Sequence, residues 1–279
     1  MVLGSTDSTT SFPKQPALTT GFIIFTLILL LIKSFTSIEF SSLVLYPKAP
    51  LEFNLNSISL YCLIHQNYTH WLLNSLAISS PLALFEKKFG TVHTGITLNL
   101  LAVITALQYC MVGLVLYPNT AAIGSSSLVF SFMTYFAYQE QRYKPIIYTF
   151  HLSPTSKIDI KPIHTPFIFL FVCFIIFPQS SFFGHFFGIT SGYLLSKGYI
   201  NKLYPPSNIL IKIEEKINPI IVMLNPLVNW YKEEDAQHIR NVDYIPLFGT
   251  DIEAANNAVG STTSNQPPSF NEVRVLGEA

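Results

Sequence analysis

The feature that most constrains this chain is a succession of apolar runs, each close to the ~20 residues a helix needs to cross a bilayer. Six can be marked, at approximately 20–38, 60–84, 95–116, 124–140, 165–180 and 183–200. Composition agrees, with 49% of the 279 residues hydrophobic and only 11% charged, against roughly 25% charged in a soluble domain. The expected fold is an all-α polytopic membrane protein. A polar Ser/Thr-rich stretch, with no basic segment and no small-residue cleavage site, precedes the first run, which therefore reads as an anchor and not a removed signal. Sixteen Lys and Arg balance sixteen Asp and Glu, so charge gives no ground for a nucleic-acid partner. Cys62, Cys110 and Cys173 fall inside apolar runs and imply no disulfide framework. No metal or other cofactor is expected.

An even number of spans puts both termini on one side. Lys14, Lys87, Lys88, Arg142, Lys144, Lys157, Lys161, Lys197 and Lys202 share that side, while only Lys33 and Lys48 lie opposite. The positive-inside rule then makes both ends cytosolic. The organisation expected is a cytosolic segment 1–19, a core 20–200, a cytosolic segment 201–250 and a tail 251–279. "NILIKIEEKINPIIVMLNPLVNWY" mixes charges and prolines with apolar residues, which suits an interfacial or docked segment better than a seventh span. The tail has a disordered composition.

Polar residues within the runs point to chemistry, because buried polarity in lipid is costly. The second run opens "HQNYTHWLLN", where His70 and Asn74, four apart, share a helix face; His65 either joins them or marks the water boundary. "GSSS", Gly124 to Ser127, opens the fourth run, and "LYPNTAAI" before it makes a poor helix. In the sixth run His185 lies beside Gly184, Gly188 and Gly192, spaced to let another helix approach closely. The serines read either as helix caps and packing residues or as a hydroxyl nucleophile set against the imidazole of His185.

Other routes to peptide hydrolysis in a membrane are missing. No His precedes a Glu, so there is no HExxH zinc motif. No Asp lies between Asp7 and Asp159, which removes a pair of intramembrane aspartates, and no acidic residue sits deep in a run to complete a triad. A Ser/His dyad survives.

These motifs resemble the rhomboid family of intramembrane serine proteases, over roughly residues 20–200. "HQNYTHWLLN" looks like the second-span signature, "FEKKFG" resembles ExxxG through Glu86 and Gly90, "GSSS" resembles GxSG, and "HFFGITSG" resembles HxxGxxxG. The resemblance implies a six-helix rhomboid-like bundle, with Ser126 as nucleophile, His185 as general base and acid, and His70, Asn74 and the Ser126 backbone N–H as oxyanion donors. Glu86, Gly90, Gly124, Gly188 and Gly192 would be structural. It implies transmembrane protein substrates, in or near single spanning helices. Ser127 stands where the family usually has Gly, which leaves Ser125 as a rival nucleophile, and the first luminal loop lacks the family's Trp-Arg pair, with Asn56 and Ser57 near its place. Six spans with a long tail is similar to the fungal Golgi branch and implies the Golgi or another endomembrane. The terminal "FNEVRVLGEA" (Phe270, Arg274, Leu276, Gly277) resembles boxes by which adaptors bind a ubiquitin-selective AAA ATPase. Two other functions fit the polar residues: a pseudoprotease that escorts transmembrane clients uncut, and a channel or transporter, for which no repeat symmetry is evident.

Overall fold

The computed structural model describes residues 14–240, apart from positions 152, 154, 155 and 179; the tail 251–279, with its adaptor-like box, lies outside the described residues. The helices are α1 (Ala17–Phe35), α2 (Leu55–Leu60), α3 (Tyr68–Phe89), α4 (Thr91–Leu116), α5 (Ser126–Glu140), α6 (Thr165–Ile176), α7 (Phe182–Ser196), α8 (Ser207–Lys216), α9 (Asn218–Leu224) and α10 (Glu233–Arg240). Between α5 and α6 an antiparallel hairpin pairs β1 (Tyr148–His151) with β2 (Lys157–Ile160), so the chain is mostly helical and not purely so. The alternation in "YTFH" and "KIDI" explains the exception: Tyr148 and Phe150 face Ile160 and Ile158 across the ladder, while Thr149 and His151 pair with Asp159 and Lys157.

Among the described residues, α1 and α4 are long and apolar enough to cross a membrane, and Pro162–Ile176 is a shorter apolar helix. α1 exposes Ile24, Phe25 and Ile28, and α6 exposes Phe167, Phe171 and Ile175, faces that fit lipid better than water. The helix of the second apolar run begins later than its hydropathy suggests. Tyr61–Leu63 form a 3-10 turn, and Asn67 caps α3 by accepting a hydrogen bond from the His70 N–H at 2.8 Å. His65 therefore precedes the helix, and its side chain is buried within the protein.

α5 and α7 meet backbone to backbone. A Cβ on Gly188 would strike the Ser127 carbonyl, and one on Gly192 would strike the Ser131 carbonyl. The contacts advance four residues on both helices, so the two run parallel. Ser131 Oγ crosses the seam to donate to the Gly188 carbonyl at 2.9 Å.

Glu86, at the far end of α3, is fully buried and closes the start of α1. Its carboxylate accepts from Leu18 N and Thr19 N, and from the Thr19 and Thr91 hydroxyls, at 2.8–2.9 Å. Ala17 N donates to the Asn229 carbonyl and Thr20 N to Pro16 O. Because the N-cap is Pro16, which has no N–H, the helix start leaves three unpaired N–H groups, those of Ala17, Leu18 and Thr19, and all are satisfied although α1 has no side-chain cap of its own. Gly90 turns the chain from α3 into α4 at φ +91°, where a side chain would be strained and would crowd Ala236. In the first loop, which lacks the Trp-Arg pair, Asn54 Oδ1 accepts from Ser57 N and Ser57 Oγ donates back to Asn54 O.

Candidate active site

The segment leading into α5 cannot be helical because its backbone is used elsewhere. Leu45 and Ala122 exchange hydrogen bonds, and Gly124 N donates to the Tyr61 carbonyl at 3.1 Å. Gly124 has φ +100°, a conformation that favours glycine. Space demands glycine as well: a Cβ there would lie 2.7 Å from His70 Nε2 and 3.3 Å from Asn74 Nδ2. His70 and Asn74 on α3 therefore converge on the start of α5.

The three serines have different surroundings. Ser125 occupies the N-cap position of α5, but its side chain does not cap; the hydroxyl is buried and shares a 3.3 Å contact with His65 Nε2. Ser127 is buried and shares a 2.9 Å hydrogen bond with the Tyr61 hydroxyl. Ser126 is only half-buried, and its hydroxyl has no hydrogen-bond partner among the described residues.

His185 lies in the first turns of α7, whose cap is Ser181 accepting from Gly184 N at 3.0 Å. Its ring stacks on Phe130, centroids 4.6 Å apart. Phe130 is one turn beyond Ser126 on the same face of α5. Following the α5–α7 register back from Gly188 also brings His185 level with Gly124. Hydroxyl and imidazole thus share one end of one seam, although no hydrogen bond joins them in this structure. Among the described residues His185 Nδ1 and Asn74 Nδ2 are buried without partners; such atoms are uncommon in folded proteins and call for a reason.

His70 is oriented by its own helix start. The Gln66 N–H donates to His70 Nδ1 at 3.4 Å, which makes Nδ1 the acceptor and puts the proton of a neutral ring on Nε2, beside Gly124. Lys33 Nζ, at the end of α1, donates to the carbonyls of His65 and Gln66 and secures this turn.

The predicted residues separate into two groups. His70, Asn74, Gly124, Ser126 and His185 gather at the start of α5, with Gly188 and Gly192 setting the seam. Glu86 and Gly90 do not join them: at 1.5 Å per residue Glu86 lies roughly 24 Å along α3 from His70. Sequence reasoning gave no role to Tyr61, and none to the cluster in which Gln108 receives the Thr190 hydroxyl and donates to Ser191, itself bonded to Thr105. Period alone cannot find Tyr61, which acts from a 3-10 turn, but a Gln and two Thr inside apolar helices are a readable signal.

Residues 52–202 match the rhomboid domain family. The chain is similar to "Rhomboid-type serine protease 2" of Candida albicans, 52% identical over 265 residues that span 95% of this chain and 93% of that protein. The protein of the same name from Debaryomyces hansenii is 50% identical over 266 residues, 95% and 93% of the two chains. Its namesake in Saccharomyces cerevisiae is 35% identical over 237 residues, 84% and 88%. With a domain match that takes in His70, Ser126 and His185, and with relatives aligned over most of its length, the chain belongs to the rhomboid family.

Proposed function

We propose that the chain is an intramembrane serine protease with Ser126 as nucleophile and His185 as its base. The observation that carries this is the division of labour among the serines: Ser125 and Ser127 are engaged by His65 and Tyr61, while Ser126 is free on the face that leads to His185. Ser126 Oγ attacks the scissile carbonyl as His185 takes its proton, and the imidazolium returns that proton to the leaving amine. Water then repeats the sequence on the acyl-enzyme. The developing oxyanion is held by His70 Nε2–H, Asn74 Nδ2–H and the Ser126 N–H, which as a first-turn donor has no intrahelical partner and adds the helix dipole. The test is cleavage of a model single-span substrate by purified wild type and by Ser126→Ala. Fluorophosphonate labelling of wild type but not of Ser126→Ala excludes the pseudoprotease reading.

The six longer helices α1, α3, α4, α5, α6 and α7 are read as the spans, with both termini cytosolic. The Lys/Arg distribution supports this, and impermeant thiol labelling of a cysteine at position 150 from the luminal side of sealed vesicles would contradict it. Substrates arrive laterally as transmembrane helices and must unwind, so luminal-end residues of weak helix propensity favour cleavage, at roughly 1 kcal/mol per Gly relative to Ala. A Golgi location and an AAA ATPase bound by the terminal box belong to the same reading; imaging the tagged protein tests the first, and a pull-down with the last ten residues tests the second.

A further inference from the structure

α8 and α9 present an outward surface that the protease chemistry does not use. From Ile217 to Tyr231 the chain carries no charge, yet Ile220, Met223 and Leu227 are 53%, 68% and 73% exposed, and only Ile221 of α9 is buried. A short helix apolar on nearly all sides is not a water-facing element. On α8 the outward stripe combines Ile209 and Ile213 with Lys212 and Lys216, at i, i+3, i+4 and i+7, while Leu210 and Glu214 face inward. Isoleucines alternating with lysines on one stripe suit a boundary where apolar groups sink and ammonium groups reach outward.

The level of this surface is set by α1. Lys14 Nζ donates to the Asn225 carbonyl at 2.6 Å, Asn229 Nδ2 donates to Lys14 O at 3.0 Å, and Ala17 N donates to Asn229 O at 2.9 Å. α1 has 19 residues, about 28 Å of helix against a hydrocarbon thickness of ~30 Å. Its first residue therefore marks one edge of the bilayer, and Asn225 and Asn229, which directly follow α9, are bonded at that edge.

We propose that α8 and α9 form a monolayer anchor, with Ile209, Ile213, Ile220, Met223 and Leu227 seated at the headgroup–acyl boundary and Lys212 and Lys216 on lipid phosphates. The chain just after α9 is bonded to the start of α1, and the two lysines match an anionic leaflet. The anchor depends on membrane residence alone and is independent of the assignment of Ser126.

The full chain, with its native cysteines replaced by alanine, is spin-labelled singly at Ile213→Cys, Met223→Cys, Ile168→Cys (lipid reference on α6) and Glu234→Cys (aqueous reference on α10), then placed in phosphatidylcholine nanodiscs with and without phosphatidylserine. The expected result is an oxygen-to-nickel-chelate accessibility ratio at 213 and 223 several-fold above that at 234 and approaching that at 168, rising further with phosphatidylserine. Ratios at 213 and 223 equal to that at 234 overturn the proposal. Dipolar broadening at 223 that vanishes on dilution with unlabelled protein also overturns it, since a second copy would then cover the face. All four positions are exposed, so labelling spares the fold, and the readout needs no protease activity.

Discussion

The two ends of α3 both carry buried polar residues, and they are treated in opposite ways. At the C-terminal end Glu86 accepts four hydrogen bonds and joins α1, α3 and α4. At the N-terminal end Asn74 Nδ2 has no partner among the described residues, and His70 Nε2 faces the glycine that opens α5. A polar group with all its partners holds helices together; one kept without them in a low-dielectric site is available to a charge that exists only during reaction. In the proposed mechanism, satisfaction of hydrogen bonds, more than polarity itself, separates the two uses.

Substitutions can break or sharpen that contrast. The largest effect is expected from Ser126→Ala, with no detectable cleavage of a transmembrane substrate and an unchanged melting curve. Asn74→Ala should follow, with a loss of about 2.7–4 kcal/mol in transition-state stabilisation, roughly 100- to 1,000-fold in rate, again with little change in Tm. If Asn74→Ala instead lowers Tm as far as a change at Glu86, the two ends are alike and the contrast fails. Glu86→Gln should do the reverse, costing about 1–3 kcal/mol of stability because donors on α1 lose their acceptor, while kcat per folded molecule is retained. Gly192→Ala drives a methyl into the Ser131 backbone and should cost about 1–3 kcal/mol; Gly21→Ala, where nothing lies within 4 Å, is its neutral control. The smallest effect is expected from Ser125→Ala, which removes a single 3.3 Å contact and should leave activity readily measurable.

Much of this was legible before any coordinates. Apart from α3, apolar runs located the long helices within about four residues, because lipid leaves little choice of backbone. The motif resemblance pointed to Ser126, while helical period alone could not choose among three adjacent serines. That choice rests on Tyr61 and His65, which act from a 3-10 turn and an irregular loop. The late start of α3 was hidden because residues 60–67 are apolar enough to extend the run, and only the Asn67 cap ends it. The hairpin lies between the fourth and fifth apolar runs, where hydropathy alone gives no element. The bonds of Asn229 to Gln15 and Ala17 could not be foreseen, since partners some two hundred residues apart leave no periodic trace.

The capping of α1 also imposes a timetable. Leu18 and Thr19 leave the ribosome 68 and 67 residues before the Glu86 that accepts their hydrogen bonds, which at 5–20 residues per second is roughly 3–14 s of synthesis. Thr91 waits another 140 residues for Tyr231, roughly 7–28 s on the same scale. The first helix is therefore made early and finished late, with its opening turn unsealed until the segment around Asn229 has been translated. A nascent chain stopped short of residue 229 holds every residue of the proposed dyad and oxyanion site, yet lacks the bond from Ala17 that completes its first helix.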